Sequence, residues 1–126
     1  MDKLKQVLAK YQNHPEFLGL ELTRADQCGA MDDTPLHIAA RKGELDDIVV
    51  LVSHGADVNS SGDLGHTPLH YAAMSGQAAA VERLLDLGAD TSLKNEFSET
   101  PLQVAEIGGH TQIANILRTH RPKKRR

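Results

Sequence analysis

Thr34-Pro35-Leu36-His37 returns as Thr67-Pro68-Leu69-His70 and, with one change, as Thr100-Pro101-Leu102-Gln103, so one tetrapeptide recurs at an interval of 33 residues. A longer register travels with it. Ala39-Ala40 and Ala72-Ala73, then Ala105-Glu106, follow two residues after the fourth position, and Gly43, Gly76 and Gly109 stand nine residues after each threonine. Gly55-Ala56-Asp57 and Gly88-Ala89-Asp90 close the first two units. A fixed period of this size marks stacked supersecondary units, each burying its face against its neighbours.

Inside one unit, Pro35 suits a first helical turn, where its missing N–H is not needed, and Thr34 before it can cap the free amides. Leu36, Ile38, Ala39 and Ala40 then provide an apolar side small enough for a neighbouring helix to come close, and Gly43 ends the run. Leu45, Ile48, Val49, Leu51 and Val52 repeat at helical spacing up to Gly55. The same pattern returns with Leu84, Leu85 and Gly88, and again with Ile113, Ile116 and Leu117. Each unit is therefore a pair of antiparallel helices, and the Asn-, Ser-, Gly- and Asp-rich stretch 59–65 reads as a turn-bearing projection between units.

These residues together resemble the ankyrin repeat. The resemblance implies an all-α solenoid of stacked antiparallel helix pairs with projecting β-hairpin-like fingers. It places repeats at about 29–61, 62–94 and 95–120 within a repeat domain spanning 23–120, the first finger running from Thr23 to Asp33. Leu4, Val7, Leu8 and Tyr11 have helical spacing without the repeat signature. Residues 1–22 thus read as a capping helix and an irregular seal, with Phe17, Leu18, Leu20 and Leu22 closing the first repeat; a separate partner-binding helix is the alternative. In the third unit Gln103 replaces the histidine and Glu106 the second alanine, as suits a polar cap. The resemblance makes the Thr and His a hydrogen-bonded tie between helix start and finger, so Gln103 is expected to tie more weakly.

Composition agrees with this architecture and excludes several others. Aromatic residues make up 3% of the chain, with no Trp, which suits helices joined through Ala, Leu and Val. The single cysteine, Cys28, allows no internal disulfide and fits a reducing compartment. No apolar run approaches the roughly 20 residues of a membrane span, and the N-terminus lacks a signal-peptide core. A soluble, cytoplasmic monomer is expected, with nuclear entry open in a eukaryotic setting. The net charge of −3 is uneven: Arg121, Lys123, Lys124, Arg125 and Arg126 make the tail basic, leaving −8 on the other 120 residues. The tail, 121–126, is expected to be disordered; it resembles a nuclear-import signal or nucleic-acid arm, or is simply a solvated end. Five basic residues without stacking aromatics beside an acidic body argue against a nucleic-acid partner.

Seven histidines invite a catalytic or metal assignment, but His37 and His70 fall at the family's structural position. His66 and His70 have metal-pair spacing, yet His66 precedes the helix-starting proline, so the two do not lie on adjacent turns of one helix. His14, His54, His110 and His120 lack a ligand cluster. No nucleophile elbow, Walker loop or dinucleotide turn is present. The glycines read as helix stops, and Cys28, on a finger, lacks a basic neighbour that would activate it. No catalytic residue, cofactor or metal is expected.

The resemblance implies that fingers and the exposed side of each first helix bind protein partners. The period supplies the columns: Met31, Leu64 and Phe97 three residues before each threonine; Asp33, His66 and Glu99 one before; Arg41, Met74 and Ile107 seven after. Apolar residues in a row on solvent-facing fingers suggest an interface, against the alternative that each folds back onto its own finger. With Asp33, Asp63, Glu96 and Glu99 as an acidic rim, this face would suit a partner whose basic residues surround an apolar patch. The function expected is a non-enzymatic adaptor, regulatory subunit or inhibitor. A bacterial immunity protein that covers the active site of a basic toxin is the alternative.

Overall fold

The structure, a computed structural model, describes residues 3–120; the basic tail lies outside them. Seven helices follow in order: α1 (Lys3–Tyr11), α2 (Pro35–Lys42), α3 (Leu45–Ser53), α4 (Pro68–Met74), α5 (Ala78–Asp86), α6 (Pro101–Ile107) and α7 (Thr111–Thr119). Among the described residues there is no strand, so the fold is all-α. Helices α2, α4 and α6 pack on one another as an inner layer, α1, α3, α5 and α7 as an outer layer, and α2–α3, α4–α5 and α6–α7 pair across them.

Each inner helix starts in the same way. Thr34, Thr67 and Thr100 sit in extended backbone, their hydroxyls accept the amide of the fourth tetrapeptide residue, and proline fills the first turn. That fourth residue, His37, His70 or Gln103, accepts the threonine N–H in return, completing a reciprocal cap. Ala39, Ala40, Ala72, Ala73 and Ala105 have no exposed surface, and their small side chains let the inner helices meet closely. Leu36, Ile38, Ile48, Leu51, Leu69, Val81 and Leu84 fill the space between layers, each with 1% exposure or less.

Helix α1 buries Val7, Leu8 and Tyr11 and packs against α3, so it stands in the outer layer. A 3₁₀ turn, Pro15–Phe17, follows it and buries Phe17 completely. The apolar seal expected from four residues is made by Phe17 and Leu22 alone. Leu18 (69% exposed) and Leu20 (40%) face solvent, because the left-handed Gly19 turns the chain outwards between them.

The fingers are short hairpins by their hydrogen bonds, though too short to register as strands. Gly29 N–H donates to Asp33 O (2.8 Å), Gly62 N–H to His66 O (2.8 Å) and Asn95 N–H to Glu99 O (3.0 Å). Asp32, Gly65 and Ser98, at one register position, all have positive φ (71°, 77° and 64°), as a three-residue hairpin loop requires. Glycines are not only helix stops. Gly62 has an ordinary φ, but a Cβ there would lie 2.2 Å from Asp33 Oδ1 and 2.8 Å from His37 Nε2.

Two substitutions check this packing. Leu51→Ala should lower unfolding free energy by roughly 2–5 kcal/mol, the range for a buried leucine truncation, read as a shift in the urea midpoint. Gly62→Ala should destabilise clearly; a Gly62→Ala midpoint within error of the parent would contradict the close approach.

Candidate functional site

The inner helices and fingers are joined by histidines that reach into the next unit. Thr34 N–H donates to His37 Nδ1 (3.0 Å), which leaves the proton on Nε2. Nε2 then faces Ser60 O (3.0 Å) and His66 O (3.1 Å), the latter at the base of the second finger. His70 repeats this, with Nδ1 held by Thr67 N–H (3.0 Å) and Nε2 on Glu99 O (2.8 Å). Gln103 keeps the local cap but has no following finger to tie among the described residues. Neighbouring fingers also connect through backbone amides, Asp63 N–H donating to Asp33 Oδ1 (2.9 Å) and Glu96 N–H to Leu64 O (2.9 Å), while Ala30 N–H of the first finger donates to Glu16 O (3.0 Å) in the preceding 3₁₀ turn.

Asp33 lies at the centre of a buried polar cluster. Its carboxylate accepts from Asp63 N–H and from the Tyr71 hydroxyl (2.9 Å to Oδ2), with the Arg41 guanidinium 3.7 Å away. Arg41 lies over the Tyr71 ring, 4.7 Å from its centroid. Burial and the adjacent Asp33 charge push the Tyr71 hydroxyl well above its ordinary range, so it stays a donor. The second tyrosine, Tyr11, is arranged alike: its hydroxyl donates to the buried Asp47 (2.7 Å), which also pairs with Lys10 (2.8 Å). Glu16, also buried, accepts from the amides of Met31 (2.7 Å) and Asp33 (3.0 Å) and so fixes the first finger.

This cluster corrects two of the expected surface residues. Asp33 (3% exposed) is committed to Tyr71 and the second finger instead of belonging to an acidic rim. His66 (7% exposed) packs against His70 and Tyr71, and its Nδ1 accepts from Asn95 Nδ2 (3.3 Å). Both nitrogens of His70 are engaged within the scaffold, and among the described residues no group of three His, Cys, Asp or Glu is placed to hold a metal.

The remaining expected residues lie at the surface. Met31, Leu64, Met74, Phe97 and Ile107 are exposed large hydrophobics, Phe97 and Ile107 at 59% and 72%. Arg41, Met74 and Ile107 come four residues, one helical turn, after His37, His70 and Gln103. They therefore continue the finger-facing side of α2, α4 and α6. Glu96 is exposed, and Asp63 and Glu99 are half-buried beside the apolar finger residues. The result is three successive rungs, Met31 with Arg41, Leu64 with Met74, and Phe97 with Ile107, with carboxylates along the fingers.

The stacked helix pairs, reciprocal caps and histidine ties agree with a family model for ankyrin repeats in three copies, which matches residues 6–95. The chain belongs to the ankyrin repeat family. Ankyrin repeats are protein–protein interaction modules, and the family is typically non-enzymatic. The match takes in most of α1 and ends at the third finger, while α6 shows its own membership by the same capping geometry. No curated protein matches this ankyrin chain. No helix among the described residues is long and apolar enough to cross a membrane.

Sequence reasoning missed Glu16, Tyr71 and the cluster around Asp33. A signal for Tyr71 exists: it occupies a register position that is aliphatic in the other units, Ile38 and Val104. Glu16 has no counterpart at the repeat interval and left no trace.

Burial lowers the pKa of His37 and His70 below that of a free imidazole, so the folded protein holds both rings neutral. Above the unfolded value of about 6.5 neither state is protonated and these rings add no pH dependence. Below it the unfolded chain takes up protons that the folded ankyrin stack refuses, and stability falls until pH passes the folded values. Unfolding free energies from urea titrations should therefore drop between pH 7 and pH 5, by up to about 1.4 kcal/mol per pH unit for each ring. His37→Gln should flatten that slope, and a slope unchanged by it would contradict the assignment.

Proposed function

We propose that this ankyrin protein holds one protein partner on its fingers and concave face and acts by occupying a surface: it masks, bridges or inhibits what it binds. The observation that carries this is the pair of exposed apolar columns, Met31, Leu64 and Phe97 beside Met74 and Ile107, on one side of a scaffold whose other large apolar side chains are mostly buried. A contiguous apolar surface rimmed by polar groups is what a protein interface requires. Methionines at two of the five positions suit a contact that adapts in shape. Asp63, Glu96 and Glu99 would raise the association rate of a basic partner and discriminate against an acidic one.

A narrower version, an inhibitor or immunity protein that covers the active site of a basic toxin, is favoured by the charge of −8 on residues 1–120. The adaptor version draws on the basic tail as an import signal. They differ in what the bound partner loses: its activity in the first case, nothing in the second.

Affinity capture from the native organism with parent, Leu64→Ala and Phe97→Ala proteins tests the face. Each substitution should weaken the recovered complex about tenfold or more, as expected for a central apolar anchor, while the melting temperature stays nearly unchanged. Equal losses of binding and stability would instead make these side chains part of the core. Deletion of 121–126 should leave the complex intact.

A further inference from the structure

The two ends of the stack are unlike. On the last helix, α7, the exposed side chains are polar, Gln112, Asn115, Arg118 and Thr119 among them, as a terminal unit requires if copies are to stay apart. The N-terminal end is apolar instead. Leu18 and Leu20 are 69% and 40% exposed, carried outwards on either side of the left-handed Gly19. Beside them runs a groove of about 540 Å³ with two walls, one made by Leu4, Lys5, Leu8, Ala9 and Gln12 of α1, the other by segment 21–23.

Helical spacing explains the first wall. Tyr11 and Lys10 turn towards α3, where both bond Asp47, so positions 4, 5, 8, 9 and 12 form the next face round the helix. Gln12 fixes the second wall: its side-chain amide donates to Leu20 O, and its side-chain oxygen accepts Leu22 N–H (2.8 Å). Ridge and groove therefore hold a set relation, with Leu20 two residues from the buried Leu22 that lines the groove. Most charges here are already matched. Lys10 pairs with Asp47, Arg24 with Asp26 (3.3 Å), and Glu16 accepts finger amides, while Lys3 lies in a separate groove beside α3. Lys5 on one wall and Glu21 on the other are exposed and, among the described residues, in no ion pair.

A surface that carries a ridge, a groove and one unmatched charge of each sign is complementary to itself under a two-fold rotation, which sets each wall of one copy against the opposite wall of its mate. We propose that this end binds a second copy of the chain, in place of the monomer expected from the sequence. The Leu18 and Leu20 ridge of each copy enters the groove of the other, and Lys5 of each meets Glu21 of its mate, so every contact occurs twice. The exposed finger columns take no part in it. The pair thus carries two concave faces and holds a partner that is itself repeated or dimeric by avidity.

Sedimentation velocity of the full-length protein, over about a hundredfold range of concentration, is the test. The average mass should rise from one chain towards two. Leu18→Ser with Leu20→Ser should weaken the association about tenfold or more, with the melting temperature unchanged because both side chains are exposed. Lys5→Glu and Glu21→Lys each oppose like charges at two places and should each weaken self-association about fivefold or more. Mixed one to one, these two variants should form a heterodimer, and the double variant Lys5→Glu/Glu21→Lys should pair with itself again. A mass of one chain throughout overturns the inference. So does a dimer indifferent to the leucine changes, or one abolished by Phe97→Ala, which would put the contact on the fingers. Charge variants that pair no better with each other than with themselves overturn it as well. If the protein stays single while the leucine changes weaken the complex captured from the native organism, this end serves a foreign partner and self-association is wrong.

Discussion

One hydrogen bond, from an inner-helix histidine to a carbonyl at the base of the next finger, is the contact on which this stack depends. His37 makes it to His66 O and His70 to Glu99 O, and in each case the other ring nitrogen is fixed by the unit's own threonine. The imidazole therefore links the start of one unit to the end of the finger that opens the next. Gln77 Nε2 on Arg41 O and His110 Nε2 on Met74 O add a second link at the opposite end of each inner helix. With both ends of α2 and α4 tied forward, the spacing of the rungs is set by polar geometry as much as by alanine packing.

That rigidity is what makes the surface chemistry usable. Exposed apolar side chains on mobile loops would lose most of their binding energy to ordering. Here each finger is closed by its own backbone bond and joined to its neighbour, and the buried Glu16, Asp33 and Asn95 accept amides that a bare turn would leave to solvent. Asp33 does most: one carboxylate aligns the second finger, receives Tyr71 and orients Arg41.

The architecture was legible because the repeat interval is itself physical. Threonine, proline and histidine recur where a cap, a first turn and a tie must recur, and the exposed columns follow from counting within that frame. Asp33 and His66 were misplaced because register fixes a position along the finger, whereas burial depends on what the neighbouring unit presents there. Beside them it presents Tyr71, a single departure from an aliphatic column. The N-terminal segment resisted for a related reason: Glu16 and Phe17 perform repeat-like tasks without repeat-like spacing, and Leu18 and Leu20 carry core chemistry on a turn that points outwards.

The forward ties also give the stack a polarity in its loss of order. If α6 and α7 detach with the third finger, His70 Nε2 loses its acceptor but remains near solvent that can replace it. If α2 detaches with the first finger, the second finger loses His37 and the Asp33 acceptor together, and Tyr71 loses the carboxylate to which its hydroxyl donates. In a nearest-neighbour chain of units, fewer ties are therefore broken when the α6–α7 unit opens than when the α2 unit does, since among the described residues Gln103 bonds only within its own cap. Amide protection should fade towards the C-terminal end, with the Arg41 end of the face the last to melt.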